Sequence, residues 1–218
     1  MNKCISLQEV KGLFKDGMTI MCGGFLGVGS PEGLVRELIN NGAKNLTVIS
    51  NDSAFPEMGV GQLIVNKRVV KLIASHIGTN PETGRQMIAN ELEVILVPQG
   101  TLAERIRCGG AGLGGVLTET GIGTLVEEGK IKLVSNSVKY LVELPLRADI
   151  AIIKAKKADR AGNLVYEKSA RNFNPLMALA ADRVIVEVDE LVDTGEIDPE
   201  TVVTPGVVID NIVVAERY

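Results

Sequence analysis

A chain of 218 residues that is 45% hydrophobic can bury a sizeable core, roughly 70% of its unfolded surface, and is not a disordered segment. A formal net charge of -4, with three Tyr, four Phe and no Trp, offers neither a basic footprint nor a stacking platform for nucleic acid. No apolar run reaches the roughly 18 residues of a membrane span, so no membrane association is expected.

The first element is a helix opened by the capping box Ser6-Leu7-Gln8-Glu9, with Leu7, Val10 and Phe14 inward and a stop near Gly17. No secretory apolar segment precedes it from Met1 onward, which predicts a cytoplasmic protein. The apolar run Met18 to Cys22 reads as a buried parallel strand. A glycine-rich turn, Gly23 to Gly29, leads to a helix with Ser30 as N-cap and Pro31 at its first position. That helix runs from Glu32 to about Asn40, with Leu34, Val35, Leu38 and Ile39 on one face, and Asn41-Gly42 ends it.

Further strands are predicted over Asn45–Ser50, Val69–Ser75 and Leu92–Val97, with a short helix over Gly61–Asn66. Asn80-Pro81 caps a helix to about Asn90, and a second capping box, Thr101 to Glu104, opens one running through Arg107. Tyr140–Leu144, Ile150–Lys154, Leu164–Glu167, Arg183–Val188 and Gly206–Val214 supply strands in the second half. Asn174-Pro175 caps an apolar helix from Leu176 to Ala181. Strand-helix alternation of this density predicts an α/β fold, an open, mostly parallel sheet with helices on both faces and a strand-rich second half. No linker or repeat divides the chain, so residues 1–218 are read as a single domain.

Four glycines between a strand and a helix leave backbone N–H groups uncovered, and the helix N-terminus adds partial positive charge. The turn therefore suits an anion or a developing oxyanion. A tight connection with glycines for close packing is the alternative. Gly110-Ala111-Gly112-Leu113-Gly114-Gly115 matches G-x-G-x-x-G but follows a helix and precedes an expected loop over Val116–Gly121. That context is wrong for a dinucleotide site. Cys4, Cys22 and Cys108 fit reduced thiols better than disulfides or zinc ligands, and Cys22 and Cys108 read as apolar fillers. His76, the one histidine, falls at a strand end, either hydrogen-bonded to local backbone or facing a ligand. Glu32, Glu57, Glu119 and Glu143 read as solvated or capping. No catalytic residue and no metal ligand is identified in the chain.

The stretch from Asp16 to Pro31 resembles the signature of the family I 3-oxoacid CoA-transferases. That pattern is Asp/Asn-Gly, two residues, three apolar residues, Gly-Gly-Phe, three residues, Gly, one residue, Pro. Cys22 stands where an aliphatic residue is usual. The likeness continues through Ser75–Gly84, Pro98–Glu104 and Arg171–Pro175, and it is to alpha subunits acting on acetate, butyrate and acetoacetate. The resemblance implies a ping-pong transfer of CoA between an acyl-CoA and a free carboxylate. It places the nucleophilic glutamate in a Glu-Asn-Gly sequence of a separate beta subunit, within a heterotetramer. This chain has no Glu-Asn-Gly.

The resemblance further implies that Gly23, Gly24, Phe25, Leu26, Gly27, Val28 and Gly29 contact CoA. The N–H groups of Gly23, Gly24 and Phe25 become candidate oxyanion donors, and Gly24→Val is expected to lower turnover with assembly intact. No metal or prosthetic group is implied, since CoA arrives as a substrate. The other readings are a 3-oxoadipate or glutaconate CoA-transferase subunit, and a non-catalytic module binding acyl-CoA or a sugar phosphate.

Overall fold

The computed structural model describes residues 3–215; Met1, Asn2 and residues 216–218 lie outside them. Ser6 opens α1 (Leu7–Val10) with a complete capping box, its hydroxyl accepting from the Glu9 N–H and the Glu9 carboxylate accepting from the Ser6 N–H. The helix is shorter than expected: with Gly12 in the next turn, residues Lys11–Leu13 tighten into a 3₁₀ turn. In chain order follow β1 (Thr19–Cys22), α2 (Glu32–Asn41), β2 (Leu46–Ile49), α3 (Val60–Val65), β3 (Val69–Ala74), α4 (Pro81–Ile88) and β4 (Glu93–Leu96). Next come α5 (Gln99–Gly110), β5 (Val116–Thr118), β6 (Lys132–Ser135), β7 (Val138–Glu143), β8 (Ala148–Asp159) and β9 (Leu164–Val165). The last are α6 (Asn174–Met177), β10 (Ala181–Val192) and β11 (Asn211–Val214).

The main sheet runs β11-β10-β8-β1-β2-β3-β4, with every neighbouring pair parallel and β9 added antiparallel to β8. Each face has its own apolar layer. One packs Val10, Leu34, Leu38 and Leu63 of α1, α2 and α3 on Ile20, Val48, Leu72 and Ile152. The other packs Leu102 and Ile106 of α5 and Met177 of α6 on Met21, Ile49, Ala151 and Val186. Strands buried on both faces read as continuous apolar runs, which is why they were legible without alternation. The expected fold class, helices on both faces of a mostly parallel sheet, is the one found.

Several local expectations differ, among them the strand over Gly206–Val214, of which Gly206–Val208 forms a 3₁₀ turn and only Asn211–Val214 joins the sheet. Ser30 does not cap α2; Pro31 occupies that position and makes no side-chain cap. The α5 helix begins at Gln99 directly after an extended Pro98, so Thr101 sits buried within its first turn and opens no capping box. The stretch after the second glycine run holds strand β5, which joins β7 and β6 in a separate antiparallel sheet of order β5-β7-β6. Strand β6 was missed because all four of its residues are exposed and carry no burial pattern. Ile131, Leu133 and Val134 present apolar surface there. Finally, α6 starts at Asn174 and lasts four residues, because Ala181 already belongs to β10.

Leu72 is fully buried in β3 and far from the glycine turn in sequence. Leu72→Ala is expected to destabilise the chain by about 2–5 kcal/mol, the range for truncating a buried leucine. A denaturant titration read by circular dichroism checks it; a shift below that range would mean that the layer refills the cavity.

Candidate functional site

Strand order reverses at β1: the crossover through α2 leads to β2 on one side, while β8 lies on the other. The crevice beyond the carboxyl ends at such a switch point is where ligands collect in open α/β sheets. Residues Gly23 to Gly29 form the turn at that position. Strands β8 and β10 continue past it as a wall, for β1 pairs with β8 as far as Cys22 opposite Ile152, whereas β10 stays paired with β8 as far as Val192 opposite Asp159.

Most of the turn's N–H groups are already committed. Gly23 donates to the Ile152 carbonyl at 3.0 Å, Gly24 to Asn172 Oδ1 at 3.3 Å, and Phe25 to the Val28 carbonyl at 3.0 Å. These three were the expected oxyanion donors, and the fold spends all three on its own acceptors. Leu26, at φ +50°, donates to Asp52 Oδ2 at 3.0 Å, and Val28 returns a bond to the Phe25 carbonyl at 2.9 Å. Among the described residues, no acceptor takes the N–H of Gly27 or Gly29. Phe25 and Val28 are exposed at the tip of the turn. Gly24 has φ +122°, and a Cβ there would stand 2.3 Å from Ser30 Oγ. Gly24→Val therefore strains the turn itself and does not report selectively on an oxyanion contact.

The positive end of α2 is likewise occupied from within. Glu187, buried on β10, accepts the Leu34 N–H at 3.0 Å through Oε2 and the Lys154 ammonium at 3.1 Å through Oε1. A cross-strand carboxylate thus takes the place that the sequence reading reserved for a ligand anion. Lys154 also reaches Asp189 at 2.7 Å. Burial pushes the Asp189 carboxyl up, but the Lys154 and Lys156 ammonium groups outweigh it and hold the carboxyl below its ordinary value. Glu32 accepts from the Gly59 N–H at 2.8 Å and from Gln62 Nε2 at 2.7 Å, tying α2 to α3; burial nevertheless raises its pKa. Asp52 is buried and fully engaged, accepting from Leu26, Asn51 Nδ2 and the Ala54 N–H.

Two concavities flank the turn. One, of about 170 Å³, is lined by Gly29, Ser30, Lys154, Lys156, Tyr166 and Asp189. The other, about 310 Å³ and mostly apolar, is lined by Phe25, Gln99, Ala103, Asn172, Phe173 and Leu176. Gln99 Nε2 donates to the buried Asn51 Oδ1 at 2.8 Å, so the start of α5 is tied to the end of β2 beneath the turn.

His76 is exposed, and its backbone carbonyl accepts from Ser53 at 3.0 Å. Glu57 and Glu119 are exposed. Glu143, by contrast, is neither solvated nor a cap: it is buried beside Lys130 and Arg105, which pair with it. Asp52, Asn172 and Asn174 hold the turn and Glu187 holds the start of α2; the sequence offered Asn174 only as a helix cap and Asn172 only within the family likeness, and it gave Asp52 and Glu187 no role. Asp52 lies just beyond the strand read over Asn45–Ser50, and Glu187 lies inside an apolar strand. Among the described residues, no group of three or more His, Cys, Asp or Glu is placed to hold a metal ion. No helix there is long and apolar enough to cross a membrane.

A family model described as coenzyme A transferase matches residues 6–215. The chain is 61% identical over 215 residues to the acetate CoA-transferase subunit alpha of Escherichia coli strain K12, covering 99% of this chain and 98% of that one. It is 55% identical over 212 residues to the acetoacetyl-CoA:acetate/butyrate CoA transferase alpha subunit of Clostridium acetobutylicum, covering 97% of each. An acyl-CoA transferase of E. coli O157:H7, solved as a thioester complex with CoA, superposes with a TM-score of 0.88 at 22% identity. That match takes in 98% of this chain and spans about half, 47%, of the solved chain; at this identity it is a likeness of fold.

Cys22 is 1% exposed, and burial, followed by the nearby carboxylates of Glu32, Asp52 and Glu187, pushes its thiol far up. A raised pKa keeps the group as the unreactive thiol at neutral and mildly alkaline pH. Alkylation of the native protein at pH 8 is expected to spare Cys22 and to reach it only after denaturation, as peptide mass mapping would record. Rapid native labelling of Cys22 would contradict the burial.

Proposed function

Because the chain belongs to the coenzyme A transferase family, we propose that it is the alpha half of an enzyme moving CoA between a short-chain acyl-CoA and a free short-chain carboxylate. Acetate, butyrate and acetoacetate are the acids in question, on the strength of the names borne by two relatives that match it over nearly their whole length. One observation carries the division of labour. The buried carboxylates around the glycine turn, Asp52 and Glu187, are engaged with N–H and ammonium groups. Cys22 is held as a thiol. These engagements support the reading in which the group that attacks the thioester comes from a second chain.

That group is a glutamate of a beta subunit within a Glu-Asn-Gly sequence, and the assembly is an alpha2beta2 heterotetramer. Its carboxylate attacks the thioester carbonyl, the C–S bond breaks, and an acyl-glutamyl anhydride and CoA thiolate form. The thiolate then attacks the glutamyl carbonyl, releasing the first acid and leaving a glutamyl-CoA thioester. An incoming carboxylate reverses the two steps and leaves as the new acyl-CoA. Gly23 through Gly29 contact CoA beside the glutamate. Gly27 and Gly29 replace the first three residues of the turn as its available donors. Binding energy from the remote parts of CoA is available to the reacting centre in such an arrangement. The chemistry needs no metal or prosthetic group, and the chain acts in the cytoplasm as one domain.

Consumption of acetoacetyl-CoA with acetate as acceptor tests this reading, comparing the isolated chain with the chain co-expressed with a beta subunit. Activity in the co-purified complex alone is expected. Full activity from the isolated chain would refute the division of labour, and inactivity of both with acetate, butyrate and acetoacetate would refute the substrate class.

A further inference from the structure

The segment from Arg171 to Asn174 reaches the glycine turn from the far end of the sequence and touches it at both ends. Asn174 is completely buried. Its Nδ2 donates to the Gly29 carbonyl and to the Ala170 carbonyl, each at 3.0 Å, while its Oδ1 accepts from the Lys154 N–H of β8 at 3.0 Å. The same oxygen lies 1.8 Å from where a Cβ of residue 23 would stand, so only glycine fits there. Asn172 accepts from the Gly24 N–H through Oδ1 and donates to the Val28 carbonyl at 2.9 Å through Nδ2. Its own backbone stands at φ +24° and ψ -122°, a conformation that an L side chain rarely adopts.

Two carboxamides thus clamp Gly24, Val28 and Gly29 and tie them to β8. Between the clamped ends remains Gly27, and at one of them Gly29, the two residues whose N–H groups are uncommitted. A strained backbone retained where the side chain does two jobs is the pattern of a position kept for geometry, not for stability. Asparagine suits the task because its carboxamide offers donor and acceptor together, with no charge beside Glu187 and Lys154.

We infer that Asn172 and Asn174 are positioning residues for CoA transfer, setting the backbone of Gly24–Gly29 so that its free donors stand fixed at the crevice. The inference rests on the functional reading above and concerns residues that act through the turn, without touching the reacting atoms themselves.

Asn172→Gly separates positioning from folding. Glycine adopts the backbone of residue 172 without strain, which offsets the loss of the carboxamide's bonds to Ser169, Ala170 and Phe173, so the melting temperature of the assembled complex is expected to stay within a few degrees of wild type. The links to Gly24 and Val28 are lost in the same change. The expected result is a fall in kcat of about 10- to 100-fold with KM for acyl-CoA little altered, the scale for a misplaced reactive geometry. Amide hydrogen exchange at residues 24–29 should quicken in parallel. Asn174→Asp, which keeps the acceptor and loses both donors, should lower kcat in the same direction. Asn163→Ala is the structural control: it removes bonds to Asp159 and Gly206 away from the turn, and should lower the melting temperature without lowering kcat.

An unchanged kcat in Asn172→Gly overturns the inference, even with faster exchange, since the segment would then be only structural. If the wild-type complex itself transfers no CoA, the functional reading fails. Exchange then decides the clamp alone: unchanged protection at residues 24–29 in Asn172→Gly overturns it, and faster exchange upholds it.

Discussion

One close approach organises the molecule: the carboxamide of Asn174 occupies the space where a side chain at residue 23 would be. Because Gly23 lacks a Cβ, the chain leaving β1 lies flat against that carboxamide and still gives its N–H to Ile152 on β8. The last rung of the parallel ladder and the first residue of the turn are therefore the same residue. Everything downstream inherits its placement from that rung: the reversal at Phe25 and Val28, the entry into α2, and the carbonyl of Gly29 that Asn174 holds. A larger residue at 23 would separate β1 from β8 at the switch point, where the strand order reverses.

The electrostatics of the crevice follow a related economy of paired groups. The helix dipole of α2 meets Glu187, Glu187 meets Lys154, Lys154 meets Asp189, and Asp189 meets Lys156. Glu187 and Lys154 are largely buried, and buried charges are costly unless answered in this way, while Asp189 and Lys156 carry the chain out to solvent. The result is a polar floor whose charged groups answer one another. A surface so balanced is suited to presenting backbone donors, since fixed dipoles that need no reorganisation stabilise developing charge most effectively.

What could be read from the sequence follows from where the information sits. β1 to β4, α2, α4 and both caps at Ser6 and Asn80 are written in adjacent residues: apolar runs, a side-chain oxygen before a helix, and a Gly42 that adopts φ +88° to end α2. The turn was legible for the same reason. Its wiring was not. Asp52 lies 26 residues from Leu26, and Asn172 and Asn174 lie more than 140 residues from the groups they hold. No local pattern predicts such a pairing. Ser30 looked like a cap because nothing nearby competed for the helix N-terminus; the competitor, Glu187, is 153 residues from Leu34. The small antiparallel sheet escaped because β6 is exposed throughout and so leaves no burial signature. The family signature marked the position of the turn but not the side chains that hold it.

The seam between β1 and β8 also dictates an order of events as the chain is made. The Thr19 N–H bonds to Asp149, 130 residues later, whereas β1 to β4 are joined by short crossovers within the first half. Closing so long a loop costs little more entropy than closing a medium one, but it waits until the distant strand exists. On a ribosome, the first four strands can associate while the far edge of β1 stays open. The turn after β1 can meet Asp52 early, but it gains its remaining anchors only when Ile152 and then residues 172 and 174 emerge. The glycine turn is thus among the last features to take its final shape, and a nascent chain cut short of that point carries most of a sheet and an incompletely held turn.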